Sequence, residues 1–358
     1  MAPPIGVPLG LIEGYYGEPW SWAEREATIG FLAPHGYGFY IYAPKADAFL
    51  RERWREAHPG EVMEPLARVA ETCRSLNVRF GVGLSPFEIW RAFDEEAKTA
   101  LAAKVAALCS LGLDDLAILF DDMRGDFDDL AKTQIRIVEW IAERVGAVRL
   151  IVCPTYYSDD PLLDSGYGER PKGYLEDLGA GLDPTVEVFW TGEEVCSRAY
   201  GLSHLERVAD QLRRKPFLWD NYPVNDGAVM SQSLHLRAFT GRPAAIGAAL
   251  SAHAVNPALQ PVLTRIPALT LVECYRQGEA YTYGAAFAQA AEAVLGPDLA
   301  GQVRRNLYAL QNTGLDRLGE RARRLAERYR AFDHPGAAEI VRFLEGGYAY
   351  RPPNLASS

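Results

Sequence analysis

Residues 116–155, LAILFDDMRGDFDDLAKTQIRIVEWIAERVGAVRLIVCPT, contain one whole structural unit. LAILFDD (116–122) is a short apolar run ending in two aspartates, and reads as a buried strand. LAKTQIRIVEWIAERVG (130–146) repeats apolar residues at helical spacing and stops at a glycine. VRLIVCPT (148–155) opens the next strand. The same alternation extends in both directions. Upstream strands are expected at VPLGLIEG (7–14), GFYIYAP (38–44) and VRFGVGLSP (78–86), and downstream ones at VEVFWTG (186–192), PFLWDN (216–221) and AAIGAALS (244–251). Eight strands, most followed by a helical stretch, predict an α/β fold, a (β/α)8 TIM barrel. An open doubly wound sheet is the alternative, but it would show fewer units and a glycine-rich phosphate turn.

Beyond about residue 278 the strands cease. AAFAQAAEAVL, LAGQVRRNLYALQ, RLGERARRLAERYRAF and AAEIVRFLEGGY are all of helical period, separated by Gly-Pro or Pro-Gly. The expected organisation is a barrel over 5–277, a small helical C-terminal appendage over 278–350 and a disordered tail over 351–358.

The composition is that of a globular protein: 358 residues, 48% hydrophobic and 23% charged. A net charge of −10 argues against a general nucleic-acid binder. The five cysteines form no C-x-x-C pair, so neither a disulfide framework nor a structural zinc is expected. The six histidines show no H-x-x-x-H or H-E-x-x-H spacing, so no metal and no cofactor is expected. MAPPIGVPLG carries neither the basic nor the apolar segment of a secretory signal, and no apolar stretch is long enough to span a bilayer. A cytoplasmic protein without a membrane partner is expected; oligomeric state is not legible.

Polar and aromatic residues gather where the strands end. Glu13-Gly14-Tyr15-Tyr16 follow the first, Lys45 the second and Asp121-Asp122 the fourth. Cys153 to Tyr157 close the fifth, Trp190-Thr191 the sixth, and Trp219-Asp220-Asn221, with Asn225-Asp226 beyond, the seventh. In a barrel these ends share one rim, where such folds carry their chemistry. Any one of them could be a strand terminus meeting water, Lys45 a surface lysine, and any aromatic a core residue. Together with Asn256, the aromatics Tyr15, Tyr157, Trp190 and Trp219 suggest a sugar pocket with ring-stacking walls.

Asp121-Asp122 is the sharpest feature. Taken alone, a solvated turn opening the next helix explains it, and Asp126, Asp128 and Asp129 read that way too. In a walled cleft, two adjacent carboxyls would not easily ionise together, so one pKa should rise and the other stay low. Neighbours on one strand end also sit too close to flank a sugar from both faces, as two opposed catalytic carboxylates must. They suit chemistry in which the substrate supplies the nucleophile.

IEGYYGEPW, YIYAPKAD, LAILFDDM, CPTYY, VFWTG, WDNYPVND and VNP, in this order over about residues 8–275, resemble glycoside hydrolase family 84. Its members are β-N-acetylglucosaminidases, including O-GlcNAcases and bacterial enzymes described as hyaluronidases. The resemblance implies a retaining exo-hydrolase of terminal β-linked GlcNAc, acting on a glycoconjugate or oligosaccharide through an oxazoline. Asp122 would be the general acid/base, and Asp121 would orient and polarise the 2-acetamido group. Tyr157 and Asn221 would hold that group, and Trp219 and Cys153 would line its methyl pocket. Gly14 (through its backbone), Lys45, Asp226 and Asn256 would bind sugar hydroxyls. The chain departs from the family pattern at Ala46, where a second acidic residue is usual, and at AHAVNP, where S/T-N-P is usual. A non-catalytic GlcNAc-binding barrel is the alternative, although a pure binder has no use for an acid. An acetyltransferase lacks any phosphate-cradling loop.

Overall fold

The computed structural model describes residues 5–350; the expected tail at 351–358 lies outside them. Strands and helices alternate: β1 (Leu9–Ile12), α1 (Trp22–Leu32), β2 (Tyr37–Tyr42), α2 (Gly60–Ser75), β3 (Arg79–Leu84), α3 (Glu95–Cys109), β4 (Asp115–Leu119) and α4 (Leu130–Val145). They continue as β5 (Arg149–Cys153), α5 (Pro161–Tyr167), α6 (Tyr174–Gly181), β6 (Glu187–Trp190), α7 (Leu202–Leu212), β7 (Phe217–Asp220), α8 (Gly227–Met230), β8 (Ala252–Val255) and α9 (Pro261–Gln277). All pairings are parallel, and β1 closes on β8 through Leu9 opposite His253. The fold is a closed eight-stranded (β/α)8 barrel.

Local chemistry sets the elements. Ser21 and Glu24 form a reciprocal capping box at the start of α1, satisfying backbone donors that a helix start leaves orphaned. Leu116 to Phe120 are all essentially inaccessible, as a strand enclosed by neighbours and helices must be.

The eighth strand corrects the sequence reading. AAIGAALS (244–251), expected as a strand, is instead a 3-10 helix over Ala244–Ala249, and β8 lies directly after it. The alanine run mimics an apolar strand without the β-branched residues that favour one. The true strand is disguised by His253, a fully buried ring paired with Asp220 of β7 and the Tyr275 hydroxyl of α9.

The chain continues as α10 (Tyr283–Leu295), α11 (Pro297–Tyr308), α12 (Leu315–Leu318), α13 (Glu320–Tyr329) and α14 (Pro335–Leu344). These helices are stitched to the barrel's rim. The Gln311 side chain accepts from the backbone N–H of Leu236 and Arg237, and Leu310 O accepts from Leu234 N. Glu339 of α14 accepts from the N–H groups of Val262 and Leu263 at 2.8 and 2.9 Å, capping the start of α9.

Candidate active site

Residues at or just past the C-terminal ends of the strands enclose a cavity of about 210 Å³. All ten expected site residues line it: Gly14, Lys45, Asp121, Asp122, Cys153, Tyr157, Trp219, Asn221, Asp226 and Asn256. A wider, open groove of about 1520 Å³ adjoins it, sharing Val195, Cys196, Asn221 and Met230. The adjacent carboxyl pair belongs to the smaller cavity.

Asp121 and Asp122 lie just beyond β4 and differ sharply in their partners. Asp121 Oδ2 accepts from the Lys45 ammonium, both side chains being buried. Asp121 Oδ1 is also buried and has no hydrogen-bond partner. A buried acceptor left unpaired is unfavourable unless something fills its place.

Asp122 is surrounded by hydroxyls. Tyr16 donates to Oδ2 at 2.6 Å, while Tyr167 and Tyr157 donate to Oδ1 at 2.7 and 3.2 Å. Its backbone is left-handed, with φ 58°, an uncommon conformation for a residue other than glycine that aspartate tolerates better than most. Burial raises the Asp122 pKa, but the Lys45 ammonium, the Tyr16 and Tyr167 hydroxyls and the Arg51 guanidinium outweigh it and hold the carboxyl below the usual range. The rise expected for the acid of an adjacent pair is therefore not found at Asp122. Lys45 offsets the neighbouring charge on Asp121, and three phenols stabilise the ionised form.

The opposite wall is a chain of amides. The Trp219 indole N–H and Asn256 Nδ2 both donate to Asn221 Oδ1, at 3.0 and 2.9 Å, and Asn221 Nδ2 donates to Val195 O. Asn256 Oδ1 accepts from Gly14 N at 3.1 Å, so that N–H is already engaged. Gly14 has no room for a side chain, since a Cβ would sit 1.9 Å from Trp219 Cζ2. The indole packs edge-on against Phe189. Burial pushes the Cys153 thiol far up, so it contributes a neutral, apolar surface. Asp226 accepts from Tyr16 N at 2.7 Å, and burial raises its pKa.

Beneath this wall, Arg242 bridges Asp220 of β7 to the Ser197, Arg198 and Thr240 carbonyls. The two residues are buried, and the bridge ties the strand carrying Trp219 to the loop carrying Val195 and Cys196.

The β-N-acetylglucosaminidase family matches residues 9–311 of this chain. The chain belongs to that family of glycoside hydrolases. The rat and mouse proteins called Protein O-GlcNAcase are 29% and 28% identical to it, each over 277 residues, or 75% of this chain. The chain spans only 30% of the length of those curated relatives. A solved structure of a mutant Thermobaculum terrenum O-GlcNAc hydrolase superposes with a TM-score of 0.78 at 27% identity, covering 94% of this chain and 80% of that one.

Two aromatics proposed from sequence as pocket walls belong to the core of this family member. Tyr15 is fully buried, its hydroxyl donating to Glu13 and accepting from Trp20 N. Trp190 is likewise enclosed, its indole N–H donating to His204. Asn225 is also structural, bonded to Ser233 O, Gln260 and Leu259 N. Residues to which the sequence reading gave no role include Tyr16, Val195, Cys196, Val224 and Met230, which line the cavity, and Tyr167, which bonds Asp122. Tyr16 sits inside the quoted IEGYYGEPW; Tyr167 lies in no quoted motif. Among the described residues, no cluster of His, Cys, Asp or Glu could hold a metal ion, and no helix is long and apolar enough to cross a membrane.

Proposed function

We propose that this chain is a retaining exo-β-N-acetylglucosaminidase of O-GlcNAcase type, hydrolysing terminal β-linked GlcNAc with the substrate's own acetamide as nucleophile. The observation that carries the reading is Asp121: one oxygen is fixed by Lys45 and the other is buried and unpaired at the cavity. An acetamide N–H would supply the missing donor. A carboxylate receiving that N–H makes the carbonyl oxygen more electron-rich and aligned for attack on the anomeric carbon.

As the carbonyl oxygen bonds to that carbon, the glycosidic bond breaks and Asp122 gives its proton to the departing oxygen. The result is an oxazolinium ion, a protonated oxazoline whose N–H still points to the Asp121 carboxylate and balances its positive charge. Water then attacks the anomeric carbon from the face the aglycone left, giving a proton to Asp122, and the acetamide re-forms. Two inversions leave the configuration retained. Trp219 and Cys153 offer the acetyl methyl an apolar wall, beside Tyr157 and Asn221. Asp226, Asn256 and Lys45 face the hydroxyls. A cavity of about 210 Å³ suits a single terminal ring better than a stretch of polymer, which supports exo action.

Stepwise fluorination of the acetyl group tests the mechanism. Each fluorine weakens the carbonyl oxygen as a nucleophile with little change in size, so kcat/KM on aryl glycosides should fall progressively. A thiazoline mimic of the cyclic intermediate should bind far more tightly than the parent sugar. A flat series with weak thiazoline binding would overturn substrate assistance. Glycopeptide, chitobiose and muropeptide substrates, run alongside, would identify the aglycone.

A further inference from the structure

We propose that Tyr167 is a positioning residue for the acid/base step: it clips the left-handed Asp122 from the neighbouring loop and fixes the orientation of its carboxyl. The inference rests on the reading of Asp122 given above.

Tyr167 ends α5, in the connection after β5, whereas Asp122 follows β4. Two adjacent residues, 167 and 168, grip the 122–126 segment at several points. The Tyr167 hydroxyl donates to Asp122 Oδ1 at 2.7 Å, and its carbonyl accepts from Gly125 N at 3.0 Å. Gly168 follows with φ 93°, so close to Asp126 that a Cβ would lie 2.3 Å from the Asp126 Cβ. The Gly168 carbonyl is itself held by the Tyr156 hydroxyl at 2.7 Å. From the other side, Arg51 Nη2 donates to the Asp122 carbonyl at 3.1 Å.

A non-glycine residue in the left-handed region persists only where its surroundings over-determine it. Here the surroundings are Arg51 on the backbone and Tyr167 on the carboxyl. The other phenols on Asp122 are placed differently. Tyr16 and Tyr157 line the cavity and are exposed to whatever enters it, but Tyr167 does not line it. Its bond to Asp122 can persist with the sugar in place. That separates a residue acting through Asp122 from one that touches substrate.

Asp122 also faces Asp121, Lys45, Arg51 and, at longer range, Asp226. None of these changes in Tyr167→Phe, which removes one O–H donor and keeps the ring. A donor to the ionised form holds a carboxyl's titration down, so its loss should move the Asp122 titration up by about one pH unit. Catalysis needs a proton on Asp122, so the alkaline limb of kcat/KM should move upward by the same amount. A looser carboxyl should lower kcat about tenfold for an alkyl glycoside with a poor leaving group. An activated aryl glycoside should stay within about twofold of wild type.

Three measurements decide it. They are pH profiles of wild type and Tyr167→Phe on both substrates, the same substitution in an Asp122→Asn background, and titration of 13C-carboxyl-labelled aspartate by NMR. The clip is supported by a displaced alkaline limb, a matching shift of the Asp122 resonance, and no further loss when Tyr167→Phe joins Asp122→Asn. Superimposable limbs and resonances, or a loss equal on both substrates and additive with Asp122→Asn, would overturn it. Failure of the underlying reading looks different: either the wild type hydrolyses neither glycoside or Asp122→Asn keeps full activity. The NMR titration reports on the clip in either case.

Discussion

Glu339 ties the C-terminal helices to the barrel through a buried carboxyl, and that carboxyl makes the protein's stability depend on pH in a calculable direction. Burial lifts its pKa from 4.5 to about 7, despite the N–H groups of Val262 and Leu263 that favour the ionised form. Glu24 adds to the rise, and Arg265 opposes it. Between those two values the folded protein binds a proton that the unfolded chain does not. The contribution is therefore fully present below the unfolded value and is lost as pH climbs through the folded one. At about 1.4 kcal/mol per unit, the full swing is about 3 kcal/mol, most of it between about pH 5 and about pH 8. Glu339→Gln keeps the shape and cannot titrate. Urea unfolding of both proteins at the two pH values isolates the effect, because every other titrating group is common to both. The wild type should lose about 2 kcal/mol or more relative to the variant on going from the lower pH to the higher. Stability curves that stay parallel within about 0.5 kcal/mol would refute the reasoning.

Gly14→Ala would put a methyl 1.9 Å from Trp219 Cζ2 and drive the indole from the cavity wall. The overpacking of about 1–3 kcal/mol should appear mainly as a KM raised roughly 10- to 100-fold, and wild-type kinetics would remove Trp219 from the acyl wall. The Asp122 carboxyl is held low by groups that an entering sugar would partly displace, so the alkaline pKa read from kcat should exceed that from kcat/KM. Coincident values would show that the phenols stay in place throughout. Arg242→Met should lower stability by about 3–5 kcal/mol, because it removes the cation from the buried Asp220 and leaves the His253 ring to hold one of its oxygens. Arg242→Met/Asp220→Asn should recover much of that in thermal unfolding, and an equally unstable double variant would place the loss elsewhere.

The barrel was legible because β4 and its like are uninterrupted apolar runs separated by helix-period stretches. β8 was not, because four residues that include a buried histidine carry no pattern; Asp220 and Tyr275, which make that histidine tolerable, lie far away in sequence. That these ten residues would share one cavity was legible through spacing at strand ends and through family resemblance. Orientation was the harder part. Tyr15 and Tyr16 are adjacent and chemically identical, yet one points to Glu13 in the core and the other to Asp122. Trp190 and Trp219 close neighbouring strands in the same manner, and only the second reaches the cavity. The depressed pKa of Asp122 was hidden for a related reason: its cause includes Lys45, Arg51 and Tyr167, three residues that meet only after folding.

The left-handed backbone at Asp122 bears on how this protein could change over time. After glycine, asparagine and aspartate carry the smallest penalty in that conformation, so the position admits few replacements without added strain. Asparagine is one of them, and its carbonyl oxygen can still accept from a phenol. If Asp122 is the acid of the proposed reaction, a descendant that had exchanged it for the amide would keep the shape of the cavity and lose the chemistry. On that reading, the backbone conformation that presents Asp122 leaves a short route from hydrolase to lectin.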